Sequence, residues 1–123
     1  MNWLWVFIGG GFGSVCRFGI AQFAHAQGWK FAISTLVSNV MATIALVLIW
    51  MWLMKRETDT AFWWSLAAVG FCGGFSTFST FSLETVQLMR DGYVTYALLI
   101  IAFNLLLCLG SVYVLARFIP MGQ

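Results

Sequence analysis

Three stretches of the chain carry no charged residue: 31–54, 60–83 and 92–116. Each is long enough to cross a bilayer as a helix, which takes roughly 20 apolar residues. A further stretch, from Met1 to His25, is interrupted only by Arg17. These runs are continuous and do not alternate with a period of two, so helices are expected and not a barrel. The sequence predicts an all-α membrane protein with spans near 3–24, 31–54, 61–90 and 93–118. The connections His25–Lys30, Lys55–Thr60 and Arg90–Gly92 leave no room for an extramembrane domain. Residues 1–123 are therefore expected to form a single four-helix unit. Only 8% of the residues are charged, too few to coat a water-soluble globule, which excludes a cytoplasmic enzyme. The same apolar excess excludes a disordered segment. A net charge of +2 on scattered Lys and Arg excludes a nucleic-acid-binding surface.

The first stretch lacks a basic leading segment and a small-residue cleavage site, so it reads as a span and not as a secretory signal. Cys16, Cys72 and Cys108 all fall inside spans. An odd number of membrane-embedded thiols argues against a disulfide framework or a metal cage and for small packing residues. Four spans put both termini on one side, with Lys55, Arg56 and Arg117; Lys30, Arg90 and Arg17 belong to the other. The usual Lys/Arg asymmetry is nearly absent. One weakly biased orientation fits this, and so does insertion both ways followed by antiparallel pairing. Four helices are too few to line a pore comfortably, which favours an oligomer. Trp3, Trp5, Trp29, Trp50, Trp52, Trp63 and Trp64 lie near span ends and read as an interfacial belt.

Each span carries a small polar or glycine cluster. In the first, Gly9 and Gly13 form a small-xxx-small pair that lets another helix approach closely. Arg17, costly at membrane depth, either pairs and lines water or snorkels to the interface. In the second, Thr35, Asn39 and Thr43 are spaced four apart on one face, suited to a helix contact or to a wet path. The fourth carries Asn104, Gly110 and Ser111, the last two suggesting another close contact. The third is the most informative. Gly73-Gly74 weakens the helix in mid-membrane and is expected to break it, freeing carbonyls that suit a cation and a new N-terminus that suits an anion. Phe75/Phe78/Phe81, Ser76/Ser79/Ser82 and Thr77/Thr80 then recur every third residue. Hydroxyl donors and the positive edges of aromatic rings would solvate a small anion weakly enough to release it, as conduction requires. Glu84 follows, near the end of the span.

The segment Gly73-Gly74-Phe75-Ser76-Thr77-Phe78-Ser79-Thr80-Phe81-Ser82, with Glu84, resembles the signature of the Fluc (CrcB-type) fluoride channels. Gly10 through Arg17, Thr35 through Asn39, and Gly110-Ser111 resemble that family's other spans, in order and at matching spacing. The resemblance implies an antiparallel, dual-topology homodimer in a bacterial plasma membrane, with two fluoride pores and no enzymatic activity. It implies that Phe78 and Phe81 meet fluoride edge-on and that Asn39 is a pore-lining amide. Ser79, Thr80, Ser82 and Ser111 are the implied hydroxyl track, with Arg17 and Glu84 at the vestibule. It also implies one structural sodium ion (Na+) at the dimer centre, held by the backbone carbonyls of Gly73 and Ser76, oxygen ligands that suit a hard cation. Three positions depart from the family pattern: Ser34 replaces Gly, Ala42 replaces Gly, and Leu107 stands where a polar residue is common. A small multidrug transporter shares the length and span number, but its first span needs a carboxylate where this chain has Arg17. A noncatalytic assembly subunit is a third reading, in which the polar stripes serve as helix glue.

Overall fold

The computed structural model describes residues 2–57 and 59–118; Met1, Thr58 (inside the Lys55–Thr60 connection) and 119–123 lie outside the described residues. Among the described residues the chain is helical throughout, with four stretches long and apolar enough to span a membrane. Helix α1 is Asn2–Ala26 and α2 is Phe31–Leu53. The third span, Thr60–Arg90, is composite. It opens with α3, Thr60–Trp63, continues as a π-helical stretch, Trp64–Cys72, and resumes as α4, Gly73–Phe75. It ends with α5, Phe78–Arg90. The fourth span is α6, Val94–Ala116. The spans read from the charge-free runs agree with these bounds to within about two residues at each end, the ordinary scatter of helix ends.

Two tight turns close one end of the bundle, and both are built the same way. Gly28 (φ +71°) and Gly92 (φ +88°) each take the left-handed conformation that a Cβ would disfavour. After α1, Trp29 N–H donates to Ala24 O (2.9 Å) and Gly28 N–H to His25 O (3.0 Å). After α5, Tyr93 N–H donates to Leu88 O (2.9 Å) and Gly92 N–H to Met89 O (3.2 Å). This paired bonding satisfies carbonyls that a helix end in lipid leaves bare. At this end Lys30 lies against Tyr93 and Tyr96. At the opposite end Trp5 meets Phe62 edge-on (centroids 4.7 Å apart) and Trp52 meets Trp63 (5.4 Å). The start of α1, the end of α2 and the start of the third span therefore share one end, as up-down packing requires.

The tightest contact is between α1 and the third span, and glycines make it. A Cβ on Gly9 would land on the Leu66 carbonyl, one on Gly13 on the Phe71 carbonyl, and one on Gly74 on the Gly10 carbonyl. Lipid provides no hydrophobic drive between helices, so backbone approach of this kind is what holds such pairs together. The interior is polar for a membrane bundle: Ser34, Thr35, Ser38, Asn39, Glu84, Thr85 and Asn104 are buried, while many Phe, Leu and Val side chains, such as Phe7, Phe12, Leu106 and Val15, face outward. Polar groups that cannot be solvated by lipid are gathered where they can bond to one another.

The third helix is broken, though not at its glycines. Gly73 remains helical (φ −64°, ψ −36°). The chain turns extended at Ser76 (φ −80°, ψ 159°) and Thr77 (φ −155°, ψ 121°). Gly74 is needed for the approach to Gly10, and the break falls immediately beyond that contact.

Candidate ion pathway

The break frees backbone groups on both of its sides, and side chains from α1, α2 and the start of α5 satisfy some of them. Asn39 on α2 clamps Thr77 from both sides: its Oδ1 accepts the Thr77 N–H at 2.7 Å and its Nδ2 donates to the Thr77 carbonyl at 3.2 Å. In an unbroken helix that N–H would have served the Gly73 carbonyl. Thr77 caps α5, its hydroxyl accepting the Thr80 N–H at 3.2 Å. That donor would otherwise have served Ser76. Arg17 Nε (3.2 Å) and Ser14 Oγ (3.5 Å) both donate to the Gly74 carbonyl, so α1 satisfies the carbonyl just before the break. The carbonyls of Gly73 and Ser76 are left without their helical donors.

Three cavities adjoin in this region, the first sharing a lining residue with each of the other two. An inner chamber of about 350 Å³ is bounded by Ser14, Arg17, Ser34, Thr35, Ser38, Thr77 and Thr80, with Phe18, Ala21 and Phe31 as its apolar wall. Thr77 also borders an aromatic pocket of about 200 Å³, with Asn39, Thr43, Ser76, Phe78, Phe81, Asn104 and Cys108. On the other side, Phe31 separates the inner chamber from an outer one of about 330 Å³, which holds Lys30, Glu84, Gln87, Asp91 and Tyr93. Thr35 and Glu84 bridge that partition, the hydroxyl donating to Glu84 Oε1 at 2.9 Å. The N-terminus of α5 opens between the inner chamber and the aromatic pocket. Its unpaired N–H groups and dipole favour negative charge there, as does the Arg17 guanidinium.

Phe78 and Phe81 stand 5.7 Å apart between ring centroids, inclined by 47°. Phe81 is 8% exposed, but Phe78 is 77% exposed on the surface of the single chain. The aromatic pocket is thus walled on one side only. The other residues of the triple repeat divide. Thr80 faces the inner chamber, where its Oγ1 accepts from Thr77 at 3.1 Å. Ser79 shares a 3.3 Å hydrogen bond with Thr77. Ser82 donates to the Phe78 carbonyl (2.8 Å) and Ser111 to the Leu107 carbonyl (2.6 Å). Both are half-buried, and Ser111 borders a separate groove with Ile44 and Gly110, away from the two rings.

Asn104 joins the pocket from α6. It is 7% exposed, its Nδ2 has no hydrogen-bond partner among the described residues, and its Oδ1 accepts from Cys108 Sγ at 3.6 Å. A buried amide donor facing two aromatic rings is a group awaiting an acceptor. The sequence offers Asn104 as a polar interruption of α6 that could stand in on the polar track where Leu107 is apolar; its lining of this pocket follows from the α2–α5–α6 packing.

The fold and these cavities define a multi-pass membrane protein with a broken third span and polar cavities beside a pair of aromatic rings. The chain belongs to the CrcB-like protein, Camphor Resistance (CrcB) family, whose model matches residues 4–116. It is 33% identical over 113 residues to a Coxiella burnetii (strain CbuK_Q154) protein named Fluoride-specific ion channel FluC, covering 90% of this chain and 91% of that one. Proteins of the same name from Proteus mirabilis (strain HI4320) and Enterobacter sp. (strain 638) are 39% identical over 100 residues and 38% over 101. These cover 81% and 82% of this chain, and 81% and 80% of those proteins, respectively.

Proposed function

We propose that this chain is a fluoride-selective passive ion channel that lets fluoride leave the cell, working as an antiparallel homodimer with two pores. The observation that carries the reading is the one-sided aromatic pocket. Phe78 and Phe81 flank it, the α5 N-terminus opens beside it, and the amides of Asn39 and Asn104 reach it from two other helices. Fluoride is small and a strong hydrogen-bond acceptor. Amide donors, hydroxyls and ring edges can replace its water without a fixed counter-charge that would trap it. Asn39 spends one Nδ2–H on Thr77, leaving its second N–H for the pocket.

In this reading fluoride gathers in the inner chamber under the Arg17 field, with Glu84 at the chamber's outer wall, and passes the Thr77–Asn39 clamp to the two rings. The exposure of Phe78 supports a second copy as the missing wall. Ser79 is exposed and Ser82 and Ser111 are half-buried on surface that such a copy would cover, where they would continue the hydroxyl track. The carbonyls of Gly73 and Ser76, relieved of their helical donors, fit a structural sodium ion between the two copies. Gly73 is exposed on the chain surface, as a shared site requires. Carbonyl oxygens supply neutral, hard ligands, and a cation there would lock the broken helices of the pair together.

The test is efflux from liposomes loaded with potassium fluoride, driven by valinomycin. Wild-type protein should release fluoride and leave chloride inside, and Phe81→Ile should strongly reduce the flux. Failure of verified dimers to release fluoride rejects the function, and wild-type flux in Phe81→Ile rejects the placement of the pore.

A further inference from the structure

The outer chamber holds two groups whose surroundings do not account for them. Glu84 is 6% exposed and its Oε2 has no hydrogen-bond partner among the described residues. Its Oε1 accepts the Thr35 hydroxyl. Lys30 borders the same cavity, with its ammonium on the faces of Tyr96 (4.4 Å from the centroid) and Tyr93 (5.1 Å). Asp91 and Gln87 are the other polar residues of this cavity, and Asp91 is exposed to water. A buried carboxylate oxygen lacking a donor thus shares one small space with a flexible cation that rests on rings. Ring faces hold an ammonium less firmly than a charge-assisted hydrogen bond to a carboxylate does.

Thr35 connects this chamber to the inner one. It has one hydroxyl proton and gives it to Glu84, yet it also lines the inner chamber beside Arg17. An anion in the inner chamber competes for that proton. If the anion wins, Glu84 loses its only hydrogen-bond donor inside a poorly solvated wall, at a large cost unless another donor replaces it.

We propose that Lys30 is a positioning residue for the anion path: its ammonium leaves the Tyr93–Tyr96 faces for Glu84 Oε2 when the Thr35 hydroxyl turns to an anion in the inner chamber. This rests on the fluoride reading above. In the exchange Thr35 and Glu84 each keep one hydrogen bond, and Lys30 gains one in place of its contact with the rings. Thr35 trades a carboxylate for the anion, Glu84 trades the hydroxyl for the ammonium, and the rings are left as apolar wall.

Two measurements test it. Glu57 and Glu84 are the only glutamates, so Glu57→Gln leaves Glu84 as the one glutamate carboxylate in the chain. In reconstituted protein labelled with 13C-carboxyl glutamate, adding fluoride should shift the Glu84 infrared band. The shift should vanish in Lys30→Met and persist in Lys30→Arg. In liposome efflux, Lys30→Met should lower fluoride flux about tenfold, the size of one lost charge-assisted bond, and Lys30→Arg should restore it. Combined with Glu84→Gln, Lys30→Met should cost nothing further. A fluoride-induced band shift that Lys30→Met leaves intact overturns the proposal, as does the absence of any shift in a protein that conducts. Equal losses from Lys30→Met with and without Glu84 also overturn it, since Lys30 would then act only through its general field. If Glu84→Gln alone abolishes flux, the infrared result decides. A wild-type protein that releases no fluoride removes the functional reading itself, and this proposal with it.

Discussion

Replacing Asn39 with alanine tests the clamp at the centre of the third span. The change removes both hydrogen bonds to Thr77, the 2.7 Å acceptance of its N–H and the 3.2 Å donation to its carbonyl. The Thr77 carbonyl, as the cap carbonyl of α5, keeps the first N–H of that helix, so the cost is that of leaving the Thr77 N–H unsatisfied, about 1–3 kcal/mol. The low end applies if water from the adjoining cavities reaches Thr77, and the high end if the break stays dry. The assay is reversible unfolding in detergent micelles, followed by the fluorescence of the seven tryptophans, together with hydrogen exchange at the Thr77 amide. Asn39→Ala should unfold at a lower midpoint, and the Thr77 amide should exchange faster. Asn39→Asp separates the two halves of the clamp. It keeps an acceptor for the N–H but sets an oxygen against the Thr77 carbonyl, so it should destabilise while protecting the Thr77 amide better than alanine does. An Asn39→Ala protein within about 0.5 kcal/mol of wild type, the scale of an inert surface change, would refute the clamp.

Two further substitutions probe what positions the break. Gly13→Ala places a Cβ on the Phe71 carbonyl and 2.8 Å from Phe75 N, so α1 must back away; unfolding should show a loss of about 1–3 kcal/mol. Gly19→Ala in the same helix meets nothing within 4 Å and should be neutral or slightly stabilising. Thr77→Val removes the cap of α5 and should lower stability by about 1 kcal/mol, whereas Thr77→Ser keeps the hydroxyl and should stay near wild type. If valine and serine unfold alike, the Thr77 hydroxyl does not cap α5.

The spans were legible because charge is excluded from the membrane interior, and the gaps between charged residues mark them. The turns after α1 and α5 carry their own signal in Gly28 and Gly92. The break was legible as an event and displaced as a position. A glycine pair weakens a helix, but Gly74 is held helical by its contact with Gly10, a long-range fact. The π-helical stretch over Trp64–Cys72 has no local signature in its residues. It accompanies the fit of Gly70 and its neighbours against α1, where the Gly70 Cβ position lies 3.0 Å from Gly9 Cα and from the Val6 carbonyl. The Thr35, Asn39 and Thr43 stripe was read as one face, and the structure gives it three tasks. Thr35 holds Glu84, Asn39 holds Thr77, and Thr43 bonds back to its own helix at the Asn39 carbonyl (2.8 Å). Periodicity identifies a shared face; the partner of each residue depends on what packs opposite it.

The composite third span has a length consequence. At 31 residues it would run about 46 Å as one straight helix, against a hydrocarbon thickness of about 30 Å. The 23-residue helices α2 and α6 come to about 34 Å, close to a match. The third span therefore holds slack that its neighbours lack, and the extended pair Ser76–Thr77 is the joint where it is taken up. When a bilayer thins or thickens, rigid spans tilt. Here the joint between α4 and α5 is the softer response, and it borders the aromatic pocket. A change in bilayer thickness is thereby expected to alter the spacing of Phe78 and Phe81 against α2, so membrane composition is a variable to hold fixed when efflux is compared between preparations.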